Sequence, residues 1–115
     1  MAYSINFLSA CRSGEPIQIT GTNSAQANAI HTGIAGTTQI DEVFLYVNNS
    51  GSQFYPLVIQ MGAQTPAHEL TMWIATQDSP QLILPGWPIN NSAFIRGYSP
   101  SGINFSIGGY VQRGP

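Results

Sequence analysis

Alternation is the feature that most constrains this chain. Apolar residues recur at every second position in run after run, and each run is cut short by a cluster of Gly, Pro, Asn and Ser. Successive side chains of an extended strand point to opposite faces, so a period of two marks strands that bury one face. Val43, Leu45 and Val47 share a face, as do Leu70, Met72 and Ile74, and Ile103, Phe105 and Ile107. These three sets are expected to point into a core. No run at i, i+3, i+4, i+7 announces an amphipathic helix.

Nine segments read as strands: Tyr3–Leu8, Ile17–Thr20, Ala25–Thr32, Ile40–Asn48, Phe54–Gly62, Glu69–Thr76, Gln81–Leu84, Ala93–Tyr98 and Ile103–Gln112. Between them lie Ser13-Gly14, Thr22-Asn23-Ser24, Asn48-Asn49-Ser50-Gly51, Asp78-Ser79-Pro80, Pro85-Gly86-Trp87-Pro88, Asn90-Asn91-Ser92 and Ser99-Pro100-Ser101-Gly102. Gly and Asn supply positive φ there, and Pro pre-sets φ for a turn. The expected fold is all-β, a single-domain antiparallel β-sandwich or jelly roll of about eight strands spanning residues 1–115. Residues 1–12, with Tyr3, Phe7 and Leu8 alternating with Ser4 and Asn6, read equally as a first strand or as an arm laid across a neighbour. Pro56 cannot donate to a ladder, so its strand is expected to be an edge or to bulge there.

Charge separates the functional classes. Three Lys+Arg and five Asp+Glu make 7% of the chain, against about 25% in an ordinary soluble domain. Ser 11, Thr 8, Asn 8 and Gln 9 keep the surface wet instead. With no lysine and only Arg12, Arg96 and Arg113, the chain lacks the cations to neutralise a run of phosphates, and nucleic acid is not an expected partner. No stretch reaches the roughly 20 apolar residues of a membrane span, and the start has neither a basic nor a long apolar segment, so neither membrane nor secretion is expected. The lone Cys11 reads as a small buried hydrophobe.

No catalytic set assembles from the remaining groups. His31 follows Ile30 in an alternating run, is expected to point opposite to it, and reads as a structural or interface histidine. His68 and Glu69 are sequence neighbours, which places them on opposite faces of a strand and away from a shared metal. Of Asp41 and Glu42, one is expected to cap a turn or pair with an arginine and the other to meet solvent. Gly108-Gly109 opens no phosphate loop. Three N-x-Ser triplets, at Asn48, Asn90 and Asn104, reflect an Asn- and Ser-rich composition. The chain is therefore expected to have no enzymatic activity, no cofactor and no metal.

Aromatic residues carry the interaction potential. Trp73 is expected opposite Met72, and Trp87 sits in a Pro-bounded loop. Trp87 reads as a cap on one end of the sandwich, as a partner contact or as a sugar-stacking platform. Tyr3, Phe7, Arg12, Trp73 and Trp87 are the candidate subunit or partner contacts.

The phrases Ala27-Asn28-Ala29-Ile30-His31-Thr32, Gly36-Thr37-Thr38-Gln39-Ile40-Asp41-Glu42-Val43-Phe44-Leu45-Tyr46-Val47-Asn48-Asn49, the apolar run Leu57–Gly62, Leu84-Pro85-Gly86 and the ending Ile107-Gly108-Gly109-Tyr110-Val111-Gln112-Arg113 resemble small virion proteins of tailed bacteriophages. The resemblance covers Ala25 to Arg113. It implies a non-enzymatic virion protein, foremost a capsid decoration (cement) protein. Such a protein is made in the host cytoplasm, sits on the outer surface of the head as a homo-oligomer, expected to be a homotrimer, and contacts the major capsid protein. A tail or neck component is the neighbouring reading. A carbohydrate-binding or host-adhesion module, suggested by the tryptophans and the Asn/Gln-rich loops, is the reading from another class.

Overall fold

The computed structural model describes residues 3–49, 51, 53–76, 80–103 and 105–114. Strands β1 (Ser4–Phe7), β2 (Ile17–Ile19), β3 (Asn28–Thr32), β4 (Ile40–Asn49), β5 (Tyr55–Met61), β6 (Glu69–Ile74), β7 (Gln81–Ile89), β8 (Phe94–Tyr98) and β9 (Phe105–Gly114) form two antiparallel sheets. The first sheet has the order β1-β9-β4-β7, with β2 beside β1 on the same edge of β9; the second is β3-β8-β5-β6. The pairing is nested. β9 meets β1 and β2, β8 meets β3, β7 meets β4 and β6 meets β5. The chain is thus one long antiparallel hairpin rolled so that its strand pairs fall alternately in the two sheets, which is the jelly-roll form of the β-sandwich.

The core lies between the sheets and follows the alternation. Val43, Leu45, Val47, Phe105, Ile107 and Val111 project from the first sheet, and Ile30, Leu57, Ile59, Ile74 and Ile95 from the second, all essentially free of solvent. Each such side chain contributes roughly 1.5–3 kcal/mol of burial. Leu8 and Cys11, in the connection after β1, join the same cluster, so Cys11 is a buried apolar group as expected. Burial pushes its thiol pKa up.

Several expectations are corrected by tertiary context. Residues 4–7 form strand β1 against β9. Pro85-Gly86-Trp87-Pro88 is part of β7 and not a turn. The strand keeps its pairing with β4 across two register shifts, and Gly86 at φ +96° takes the backbone conformation that one of them needs. Two prolines are tolerated there because β7 is an edge and needs no ladder on its far side. Ala25 and Gln26 belong to a short 3₁₀ turn, Ser24–Gln26, where the Asn23 side chain accepts from the Gln26 N–H. Pro56 lies in an interior strand that does not bulge against β6. Pairing with β8 begins only at Val58, however, so at Pro56 the strand has one neighbour and the missing N–H costs no ladder bond.

Two inward assignments also change. Leu70 is 37% exposed because β6 is an edge strand, while Met72 packs against the core and Ile74 is buried. Ile103 precedes β9 and is half-buried. His31 does not oppose Ile30: a bulge between Ala29 and His31 turns both side chains to the core side. Ser50, Asp78, Ser79 and Asn104, which carry parts of two turns and of two N-x-Ser triplets, lie outside the described residues.

Candidate functional site

Two groupings of side chains could carry function, one buried and one exposed. The buried one joins the sheets at one end. Asp41 continues the inward parity of Val43, Leu45 and Val47, and Arg113 continues that of Phe105, Ile107 and Val111. The register places Asp41 directly opposite Arg113 on the first sheet. Arg113 grips the carboxylate with two bonds, Nε to Oδ1 at 2.6 Å and a terminal nitrogen to Oδ2 at 3.1 Å. His31 reaches across from the second sheet, Nε2 to Asp41 Oδ2 at 3.0 Å, and the Ile34 N–H donates to the same oxygen at 3.1 Å.

The histidine tautomer follows from its other side. The Ser9 N–H donates to His31 Nδ1 at 3.0 Å, so Nδ1 is an acceptor and Nε2 carries the proton that goes to Asp41. Burial pushes the Asp41 carboxyl up, but the hydrogen bonds from Arg113 and His31 and the Arg113 charge together outweigh it, and the group sits below the usual carboxylate range. The same carboxylate holds Arg113 above its ordinary value.

Ser9 Oγ also lies 3.0 Å from His31 Nδ1, so the order Ser–His–Asp is that of a hydrolytic triad. The surroundings use these groups otherwise. Nδ1, where a base would collect a proton, already holds the Ser9 amide, and the Arg113 fork neutralises Asp41. The amides that could stabilise an oxyanion beside Ser9 are engaged, Ala10 N–H on Ile30 O and Cys11 N–H on Leu8 O. What this arrangement does is fasten β3, β4, β9 and the connection after β1 to one another.

The exposed grouping is the outer face of the first sheet. Register aligns Phe7, Tyr110 and Phe44 in one row, Ile5, Gln112 and Glu42 in the next, and Gly108, Tyr46 and Leu82 in a third. The Phe44 and Tyr110 rings stack with centroids 4.8 Å apart and 13° between planes. Phe7 and Ile5 stand 63% and 66% exposed at the β1 edge. Beside Tyr46 the two glycines Gly108 and Gly109 leave a hollow of about 300 Å³, bounded also by Pro16, Pro80, Asn48 and Ser106. Gly109 is required there: at φ +149°, an added Cβ would collide with the Phe44 carbonyl oxygen. Glu42 is the one charged residue in these rows.

The residues proposed from sequence do not converge on one spot. Tyr3 and Phe7 lie at β1, where the Tyr3 ring covers Gly114 so closely that no Cβ fits. Arg12 is exposed in the short 3₁₀ turn that follows. Trp87 is 42% exposed on β7, the opposite edge of the same sheet, and Trp73 is 66% exposed on β6 of the other sheet. Sequence reasoning misses Phe44, Tyr46 and Tyr110. Their signal is the parity opposite to the core set on β4 and β9, which carries aromatics where solvated strands ordinarily carry charge. Among the described residues no group of three metal-ligating side chains is found. Compared with known proteins, the chain matches no family model, no curated protein and no solved structure.

Proposed function

We propose that this chain is a non-enzymatic structural subunit of a tailed-bacteriophage virion, a homotrimeric capsid decoration (cement) protein mounted on the outer surface of the head and in contact with the major capsid protein. The observation that carries this reading is the outer face of the β1-β9-β4-β7 sheet. Beyond the Phe44–Tyr110 stack, a monomer in water gains little from setting Ile5, Phe7, Phe44, Tyr46 and Tyr110 on one outer face around a single carboxylate. A subunit that covers that face with a partner gains their burial, and contiguous apolar surface of this kind is characteristic of interaction sites. The low charge of the chain supports the same class. The virion identity rests on the sequence resemblance, and the face is the part of the molecule we assign to capsid contact.

The hollow beside Tyr46 is walled chiefly by proline, glycine and aromatic surface. Such a wall suits an apolar side chain of a protein partner better than a sugar, whose hydroxyls need convergent polar groups. The test is reconstitution. Purified protein is added to heads that lack it, and bound copies are located by electron microscopy. Density at the capsomer junctions is expected, and Tyr46→Ser or Phe7→Ser should abolish it with the fold intact. Density at the tail or neck, or binding to host glycans with none to heads, would overturn the head assignment.

A further inference from the structure

A rolled sandwich has four sheet edges, and here they differ in what blocks them. The β7 edge carries Pro85, Pro88 and two register shifts. β1 is four residues long, and the Asn6 side-chain amide donates to its Ser4 carbonyl. Beside it, β2 has three residues. The β3 edge is covered by the connection after β1: Ala10 N–H donates to Ile30 O, and Thr32 N–H to Ser9 Oγ. Short strands, prolines, bulges and covering loops are the devices by which sheets avoid edge-to-edge pairing.

Among the described residues β6 has none of them. It runs six residues, pairs with β5 without a register shift, and contains no proline, glycine or lysine. Its one charge is turned sideways, since the Glu69 carboxylate accepts from Gln60 Nε2 at 3.0 Å and from the Tyr98 hydroxyl at 3.1 Å. At its start the Glu69 N–H closes the preceding turn on Pro66 O, and at its end the Ile74 carbonyl is taken by Asn49 Nδ2 at 2.8 Å. Between them, among the described residues, the backbone of Leu70–Trp73 makes no hydrogen bond except those to β5. That is the open stretch.

We infer that β6 is a self-association edge, at which two copies of this chain pair their β6 strands antiparallel about a two-fold axis at Thr71. The occupant follows from elimination and from complementarity. With the other edges blocked, the open backbone edge that a second copy offers is again β6. Pairing centred on Thr71 sets Thr71 against Thr71, a favourable cross-strand pair, and Leu70 against Met72 on the core side. It sets Trp73 over the partner's Glu69, whose carboxylate is already satisfied by hydrogen bonds, and holds the two Glu69 residues four positions out of register. Like charges never face each other.

The area available fixes the strength. Trp73 at 66% and Leu70 at 37% exposure offer roughly 200 Å² per copy at 150–250 Å² for a whole aromatic side chain. That falls below the standard interface, so the pair is weak and concentration-dependent. A three-fold ring closes through two different surfaces of each copy, so this isologous contact is separate from any trimer contact and joins copies or trimers in twos.

Light scattering after size exclusion across the micromolar range tests this on the full chain, with Thr71→Lys and Thr71→Glu as variants at an exposed position. The wild type is expected to reach an even multiple of the 12.4 kDa chain. Each variant alone should halve that mass with unchanged circular dichroism, and an equal mixture of the two should restore it through a Lys–Glu pair across the axis. A wild type that stays a monomer or a trimer at every concentration, variants that leave the mass unchanged, or a mixture that fails to restore it would each overturn the inference. A trimer that survives Thr71→Lys would still stand for the oligomer proposed above, so the two readings fail separately.

Discussion

Asp41 shows how much a single parity carries. Counting back by twos from Val47 through Leu45 and Val43 lands on Asp41, and counting forward lands on Asn49, which is buried with its amide on Ile74 O and Gln53 O. A carboxylate on a core face must have a partner, and the expectation that one of Asp41 and Glu42 pairs with an arginine is met by Arg113. His31 is harder to read, because a bulge has no reliable mark in the sequence and it is the bulge that turns this ring inward. Removing the carboxylate leaves the buried His31 and the half-buried Arg113 without their partner, so Asp41→Ala is expected to cost on the order of 3 kcal/mol in urea unfolding. The pH response has a definite sign. The folded carboxyl is held below its unfolded value of about 3.9, so its contribution is complete above that pH and is lost as pH falls toward the folded value. Acid unfolding followed by fluorescence should show the wild type losing this share below about pH 4, and Asp41→Ala lacking it.

At the scale of elements, β4 and β9 are the most legible because their alternation runs unbroken over many residues. The same two strands carry the longest ladder in the molecule, from Ile40–Gly114 to Asn49–Phe105. Phe105 is fully buried there, and Phe105→Ala is expected to cost about 3–5 kcal/mol. Ser106, on the outer face, should tolerate alanine within about 0.5 kcal/mol. Comparable losses at both in denaturant unfolding would mean that the register had slipped by one residue. Gly109→Ala should be worse than its size suggests, because its Cβ meets the Phe44 backbone and the two strands must part to admit it. The least legible element is β7. Pro-Gly-Trp-Pro spells a turn locally, and what keeps it in a sheet is the long neighbour β4, which no short window of sequence contains. The outer aromatic face is illegible for a related reason: Phe7, Phe44 and Tyr110 lie far apart in the chain and meet only through the register of three strands.

For the whole molecule, the fold limits how it can hold a partner. Of three arginines, Arg113 is tied to Asp41, and Arg96 lies 4.5 Å above the Phe94 ring. Arg12 remains at the surface, and Glu42 is the one carboxylate within the aromatic rows. Charge attraction between exposed groups fades within a Debye length of about 10 Å at 0.1 M salt and about 3 Å at 1 M, and a single exposed pair contributes at most about 1 kcal/mol. Attachment through Phe7, Tyr46 and the Phe44–Tyr110 stack instead removes apolar area from water, which added salt does not weaken. Head-bound protein is therefore expected to survive washing in about 1 M NaCl and to be released by guanidinium at concentrations that leave the heads themselves intact. Bound copies counted on gels across both wash series check this. Release at a few tenths molar NaCl would shift the contact to the charged residues, and Arg12→Ala would then have to weaken binding more than Tyr46→Ser does.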